Sequence, residues 1–466
     1  QKNFVNTSET DPDKFLPYRN QGIAGRVTYD YANRYFIEGN FGYNGSENFS
    51  PGNRFGFFPS VALGWAMSNE EWFESAKEVI DLLKFKASYG LVGNDQIGGG
   101  RRFIYLETIE SGYDYYFGSS NTKYTGIRLG DYPNPNVGWE TVRKLNVGID
   151  MSFVGKAKVQ VDYFDEDRSG IFLQSSSIPE IAGLVNKPWI NVGKMHNRGI
   201  DASLDYHQKI GQVDVTARAN FTYAHNTILD NDQPEWEYAY QNRIGQSNWQ
   251  TFGLVADGLF QSQEEIDAWP TQKFGEVKPG DIRYVDINGD GVVDDYDKKP
   301  IGFPDVPEIS YGFGASVRWK GFDVSIFFQG IDNVNFFINN SYTQPFIANK
   351  TRHSNVFADL YDNYWTEDNR DAKYPRLTIG SNTNNNQAST FWMVDGRYIR
   401  LKNAEIGYTL PKRITSRAHI DRLRIYVSGV NLLTFAPFKL WDPDLQTGAA
   451  GYPNNRVYNI GATLVF

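Results

Sequence analysis

Between Asp286 and Asp297 the chain carries oxygen-bearing side chains at a spacing that suits a hard cation. Asp286, Asn288 and Asp290 fall at positions 1, 3 and 5 of this run, Gly291 at 6, Val292 at 7, Asp294 at 9 and Asp297 at 12. Calcium takes six to eight oxygens, and such loops use a glycine where the backbone turns sharply. Clustered carboxylates repel one another until a cation offsets them. The pattern predicts a structural Ca2+ site in which Val292 offers its carbonyl. Asp297 departs from it, because a helical calcium loop has a longer, bidentate Glu there. No amphipathic helices flank the run, so it is closer to a dockerin-like loop than to a sensor hand. The competing reading is a solvated acidic turn, since Asn-Gly and Asp-Gly are ordinary turn formers.

Aromatic clusters offer a second kind of chemistry. Tyr113, Tyr115 and Tyr116 lie close together, as do Trp236 and Tyr238. Exposed rings of this kind stack on sugars or hold a peptide by its faces; equally, they pack a loop. Trp365, Trp392 and Trp441 are open to the same two readings. Asp165-Glu166-Asp167 and Glu264-Glu265 read as solvated loop faces. There is no Cys, the five His show no zinc spacing, and no nucleophile triad or phosphate loop is apparent. The chain is therefore expected not to be an enzyme. A net charge of -9 without a basic stripe argues against nucleic acid as a partner.

The elements that must hold these loops are strands. Leu145, Val147, Ile149, Met151 and Phe153 interleave with polar or small residues, as do Val213, Val215, Ala217, Ala219, Phe221 and Tyr223. Ile309–Trp319 and the closing run to Phe466 repeat the pattern. No stretch approaches the ~20 apolar residues of a membrane helix, and mean hydropathy is only -0.50. Repeated alternation over about ten residues marks a transmembrane β-barrel, whose strands turn every second residue to lipid. The fold class is thus an all-β, antiparallel transmembrane barrel. Thirteen strands are predicted, near 22–31, 35–43, 56–66, 82–91, 142–153, 157–165, 198–207, 213–224, 309–319, 322–330, 397–410, 422–431 and 455–466. Short connections alternate with long polar ones at 44–55, 92–141, 166–197, 225–308, 331–396 and 432–454. Short periplasmic turns and long extracellular loops are the barrel arrangement, with lipid and lipopolysaccharide around it. Single-chain bacterial barrels have an even strand number, so an odd number is expected to precede Gln1. Residues 1–20 then read as the tail of an extracellular loop, and 21–466 as the C-terminal part of a barrel.

Several stretches resemble the SusC/RagA family of TonB-dependent transporters. They include Phe58-Pro59-Ser60-Val61-Ala62-Leu63-Gly64-Trp65, Leu83 to Gly90, Asn134-Pro135-Asn136, Gly280-Asp281-Ile282-Arg283-Tyr284-Val285-Asp286, Gly396 to Asn403 and Val427 to Leu432. They fall in family order. The resemblance implies a 22-stranded barrel with an N-terminal plug and TonB box outside this chain, in the outer membrane of a Gram-negative bacterium. It implies TonB-dependent import of an oligomeric nutrient beneath a SusD-like surface lipoprotein lid. The aromatic loops favour oligosaccharide; oligopeptide import and a structural or adhesive barrel are the alternatives.

Overall fold

A computed structural model describes residues 2–3, 18–97, 101–339, 343–346, 348–349, 352–353, 356–447 and 451–466. All thirteen predicted strands are present: β1 Tyr18–Tyr31, β2 Tyr35–Ser46, β3 Phe55–Ala66, β4 Ile80–Asn94, β5 Glu140–Phe153, β6 Ala157–Gln174, β7 Trp189–Ile210, β8 Val213–Asp230, β9 Ile309–Trp319, β10 Phe322–Asp332, β11 Tyr398–Thr409, β12 Arg422–Phe435 and β13 Val457–Val465. With the short Lys2–Asn3 strand, which pairs with β1, they make an antiparallel sheet of fourteen strands in chain order. Among the described residues no helix is long and apolar enough to cross a membrane.

Several strands run past their predicted ends on the long-loop side. β6 reaches Gln174 instead of 165, and β7 starts at Trp189 instead of 198. Asp165-Glu166-Asp167, expected on a loop, therefore lies within a strand. The hydrophobic alternation that marks a strand comes from lipid contact; where lipid ends, the ladder of hydrogen bonds continues without it.

The short turns follow from backbone geometry. Val154 and Gly155 (φ 49° and 61°), and Lys320 and Gly321 (φ 47° and 89°), place two successive residues in the left-handed region. Such a turn matches the twist of the strands it joins. Val154, being β-branched, is disfavoured there. Its N–H donates to the Val79 carbonyl at 3.1 Å, and Asp81 takes the Gly155 N–H and the Ser152 hydroxyl.

Two compact units are present, one formed by Gln1–Gly155, Val159–Asp201 and His225–Glu235, the other by the remainder. Within the first, Phe49, Ile97, Ile104, Val137 and Phe172 bury one another under Trp139 and Trp189. At the short-turn end of this unit, Tyr35 and Trp65 face each other across β2 and β3. Both turn their polar tips to buried Glu70, the phenol at 2.6 Å and the indole N–H at 3.0 Å, with Arg34 at 3.4 Å. Removing the carboxylate in Glu70→Ala takes the shared acceptor from both aromatic donors and the partner from Arg34, which destabilises this end of the sheet. The expected result is a lower temperature for the loss of heat-modified electrophoretic mobility, with Glu70→Gln losing less.

In the second unit the long connections build a core of their own from Leu254, Ile282, Tyr284, Val293, Phe336, Trp365, Tyr374, Trp392 and Phe438. Trp365 and Trp392 are buried in it, and Trp441 packs against Phe336 and Phe438. These three rings serve packing.

Candidate functional site

The acidic run folds as a tight loop closed by its own side chains. Gly289 and Gly291 adopt φ 76° and 85°, a backbone that only glycine enters without strain. Asp286 accepts the N–H of Gly289 at 2.7 Å and of Gly291 at 2.8 Å. Asn288 accepts the N–H of Asp290, and Asp290 that of Val292. Val292–Val293 form a two-residue parallel ladder with Thr271–Gln272, which ties the loop to the core. Asp297, fully buried, accepts Ile287 N–H at 2.7 Å and Asp294 N–H at 2.8 Å, so that the twelfth position reaches back to the start of the loop. Asp294 in turn caps Tyr296 N–H and pairs with Lys273 at 3.1 Å; these contacts hold its carboxyl below the usual range.

An ionised carboxylate offers about four lone-pair directions. The one to three N–H groups that each carboxylate accepts therefore leave capacity for a cation. Asp286, Asn288, Asp290, Val292, Asp294 and Asp297 all belong to this one turn, although the carboxylates face backbone donors rather than a common point.

Tyr238 joins the loop instead of standing apart. Its hydroxyl accepts from Asn288 Nδ2 at 3.2 Å, and its ring stacks on Tyr240 at 5.5 Å and meets Tyr296 edge-on at 5.8 Å. Trp236 is exposed nearby in the sequence. Burial, and then the negative charges of Asp297, Asp286 and Asp290, push the Tyr240 phenol up to about 12.

Tyr115 and Tyr116 lie on a two-stranded hairpin formed by Ile109–Phe117 and Thr122–Leu129. Successive residues of a strand face opposite ways, so these two rings cannot share one ligand face. Tyr115 stands directly opposite Tyr124, and Phe117 meets Tyr124 edge-on at 5.8 Å. Tyr115, Phe117 and Tyr124 thus make one exposed aromatic ledge, while Tyr116 pairs with Lys123 on the other side. The backbone of Tyr113 pairs with Gly126; its side chain lies outside the described residues. Phe117 closes the aromatic run that begins at Tyr113, but Tyr124 stands outside it. The alternation of Thr122, Tyr124 and Gly126 across a short turn from Phe117 is the signal that finds it.

A TonB-dependent receptor-like β-barrel family model matches residues 3–432. The chain belongs to this family. TonB-dependent receptor P3 of Formosa agariphila is 28% identical over 95% of this chain and 45% of its own length. TonB-dependent receptor SusC of Bacteroides thetaiotaomicron is 26% identical over 95% and 43%. The chain thus spans about half the length of the curated relatives it matches. Among solved structures, the RagAB peptide transporter aligns over 96% of this chain and 47% of that one, with TM-score 0.75 and 23% identity. The RagAB peptide importer in a closed state gives TM-score 0.73 at 22% identity over 99% and 50%. These likenesses bear out the SusC/RagA resemblance and the barrel fold, and the family is one of outer-membrane barrels.

Proposed function

We propose that the whole protein imports an oligomeric nutrient, an oligosaccharide, across the outer membrane. Energy comes from TonB through the N-terminal region of the protein, and a SusD-like lipoprotein covers the extracellular mouth. The chemistry is binding and gated passage; no bond is broken. The family match over residues 3–432 carries this reading, with SusC among the relatives supporting the lid. The ledge of Tyr115, Phe117 and Tyr124 supports a glycan, because pyranose rings stack on exposed aromatic faces. The structural neighbour described as a peptide transporter favours a second reading, oligopeptide import.

A strain lacking the gene decides between them on a panel of oligosaccharides and peptide digests as sole nutrients. Failure on an oligosaccharide, repeated on deleting TonB, is the expected result. Failure on peptides alone establishes the second reading. Unimpaired growth on both makes the protein a structural or adhesive barrel.

In this reading the Asp286–Asp297 loop takes a structural calcium, which stiffens the extracellular face. The Tyr240 phenol reports on it. Its raised pKa means that this phenol's contribution to stability is complete below pH 10 and is lost as pH rises from about 10 to about 12. A cation that offsets Asp286, Asp290 and Asp297 lowers that pKa. The difference spectrum of phenolate absorbance between the parent and Tyr240→Phe is expected to move to lower pH on adding Ca2+. Asp290→Asn produces a smaller shift in the same direction without calcium. A calcium-independent titration removes the metal from the reading.

A further inference from the structure

On the outward face of the first unit the apolar rows end abruptly in charge. Leu145 and Val147 on β5, Val161 and Tyr163 on β6, and Ile200 on β7 are exposed apolar or aromatic positions. Two-residue steps toward the long loops lead from them to Arg143 on β5, to Asp165 and Asp167 on β6, and to Arg198 and His196 on β7. These residues share the lipid-facing parity of their strands. β6 and β7 are neighbours in the sheet.

His196 sits between the two carboxylates. Its Nδ1 is 2.9 Å from Asp167 Oδ1, and its Nε2 is 3.4 Å from Asp165 Oδ2. The Tyr163 hydroxyl donates to Asp165 at 3.1 Å, and Arg143 pairs with the second oxygen of Asp167 at 3.1 Å. Among the described residues, this is the one group of three His, Asp or Glu side chains whose ligand atoms all lie within 4.8 Å of one another.

We propose that Asp165 and His196 bind a borderline divalent cation of the zinc class, with Asp167 as the positioning residue. The two ring contacts are unequal in a way that fits this. A separation of 3.4 Å is long for a hydrogen bond. It matches the edge of a tetrahedron, in which Zn–N and Zn–O distances of about 2.0–2.2 Å put neighbouring ligand atoms about 3.3–3.5 Å apart. At 2.9 Å, Asp167 makes a true hydrogen bond to the other ring nitrogen, as in the carboxylate–histidine–metal arrangement that fixes the tautomer and orients the ring. An imidazole nitrogen beside a carboxylate favours zinc over calcium or magnesium, which prefer all-oxygen sites. The ligands stand on adjacent strands held by the ladder. Water completes the shell, and the ion staples β6 to β7 where apolar support ends, below the loop at 175–188.

The test uses the full-length transporter in detergent, stripped with a chelator and titrated with Zn2+ against a chromogenic zinc indicator at pH 7.5. A single zinc per chain is expected. His196→Gln and Asp165→Asn should each weaken binding by about 100-fold or more, and Asp167→Asn by about 10–100-fold. Asp290→Asn, in the separate acidic loop, should leave zinc affinity unchanged. Heat-modified mobility identifies variants that fold, and the two asparagine substitutions preserve shape. No zinc binding by the parent, parent-like affinity in folded His196→Gln, or displacement by equimolar Ca2+ overturns the proposal.

Discussion

Replacing Arg400 with methionine is expected to destabilise the packing of the last long loop on β11 by about 3–5 kcal/mol, the cost of leaving buried charges without their partner. Arg400 is 1% exposed. Its guanidinium bonds Asp444 at 2.6 Å, Asp442 on a second nitrogen, and the Thr434 hydroxyl at 3.0 Å. Methionine fills similar volume, so the loss isolates charge and hydrogen bonding from packing. Lysine keeps the charge but lacks the planar fork, and should fall between the two. Combining Arg400→Met with Asp442→Asn and Asp444→Asn should recover part of the loss, because the three side chains act as one network. The readout is proteolytic cleavage in 436–447, rapid in Arg400→Met and slowed in the triple variant. Equal cleavage in all forms would show that the ion pair does not hold the loop.

What the sequence made legible depends on which face of a residue meets lipid. β9 was fully readable, because Ile309 to Trp319 alternates from end to end. In β7 the pattern marks a strand over 198–207 only, since Lys194 and His196 replace the apolar residues of its outward row. The same break in pattern hid the Asp165–His196 contact, which joins residues 31 positions apart across a strand pair. Register, not local sequence, brings them together. The acidic loop was legible as a turn because Gly289 and Gly291 must adopt positive φ. That Asp297 is buried and closes the loop was not, since it depends on a core assembled from distant connections. The aromatic clusters show the limit in another way. Tyr115 and Tyr116 are adjacent in sequence and opposed in space.

Asp281→Ala should open that second core while leaving the strands intact. Asp281 is fully buried at the turn before Ile282 and Tyr284. It accepts Lys278 N–H at 2.8 Å, Asn382 at 3.0 Å and Asn385 at 2.9 Å, and pairs with Arg376 at 2.8 Å. Alanine orphans four donors, one of them charged, for an expected loss of about 3–5 kcal/mol. Asn385 then no longer has its anchor while it accepts the Ile282 N–H at 2.9 Å. Hydrogen exchange separates this effect from global unfolding. The amides of Ile282 and Tyr284 should lose protection in the variant, while those in β9 and β10 keep it. Gly280→Ala approaches the same core from the backbone. A Cβ there would lie 2.3 Å from the Trp365 ring, at φ 87°, so strain and clash both act. It should expose the same two amides with the Asp281 network still present. If Gly280→Ala does so and Asp281→Ala does not, packing against Trp365 holds this core and the buried carboxylate is dispensable. Retained protection in both would mean that the turn from Gly280 to Tyr284 is not what joins the acidic loop to its support.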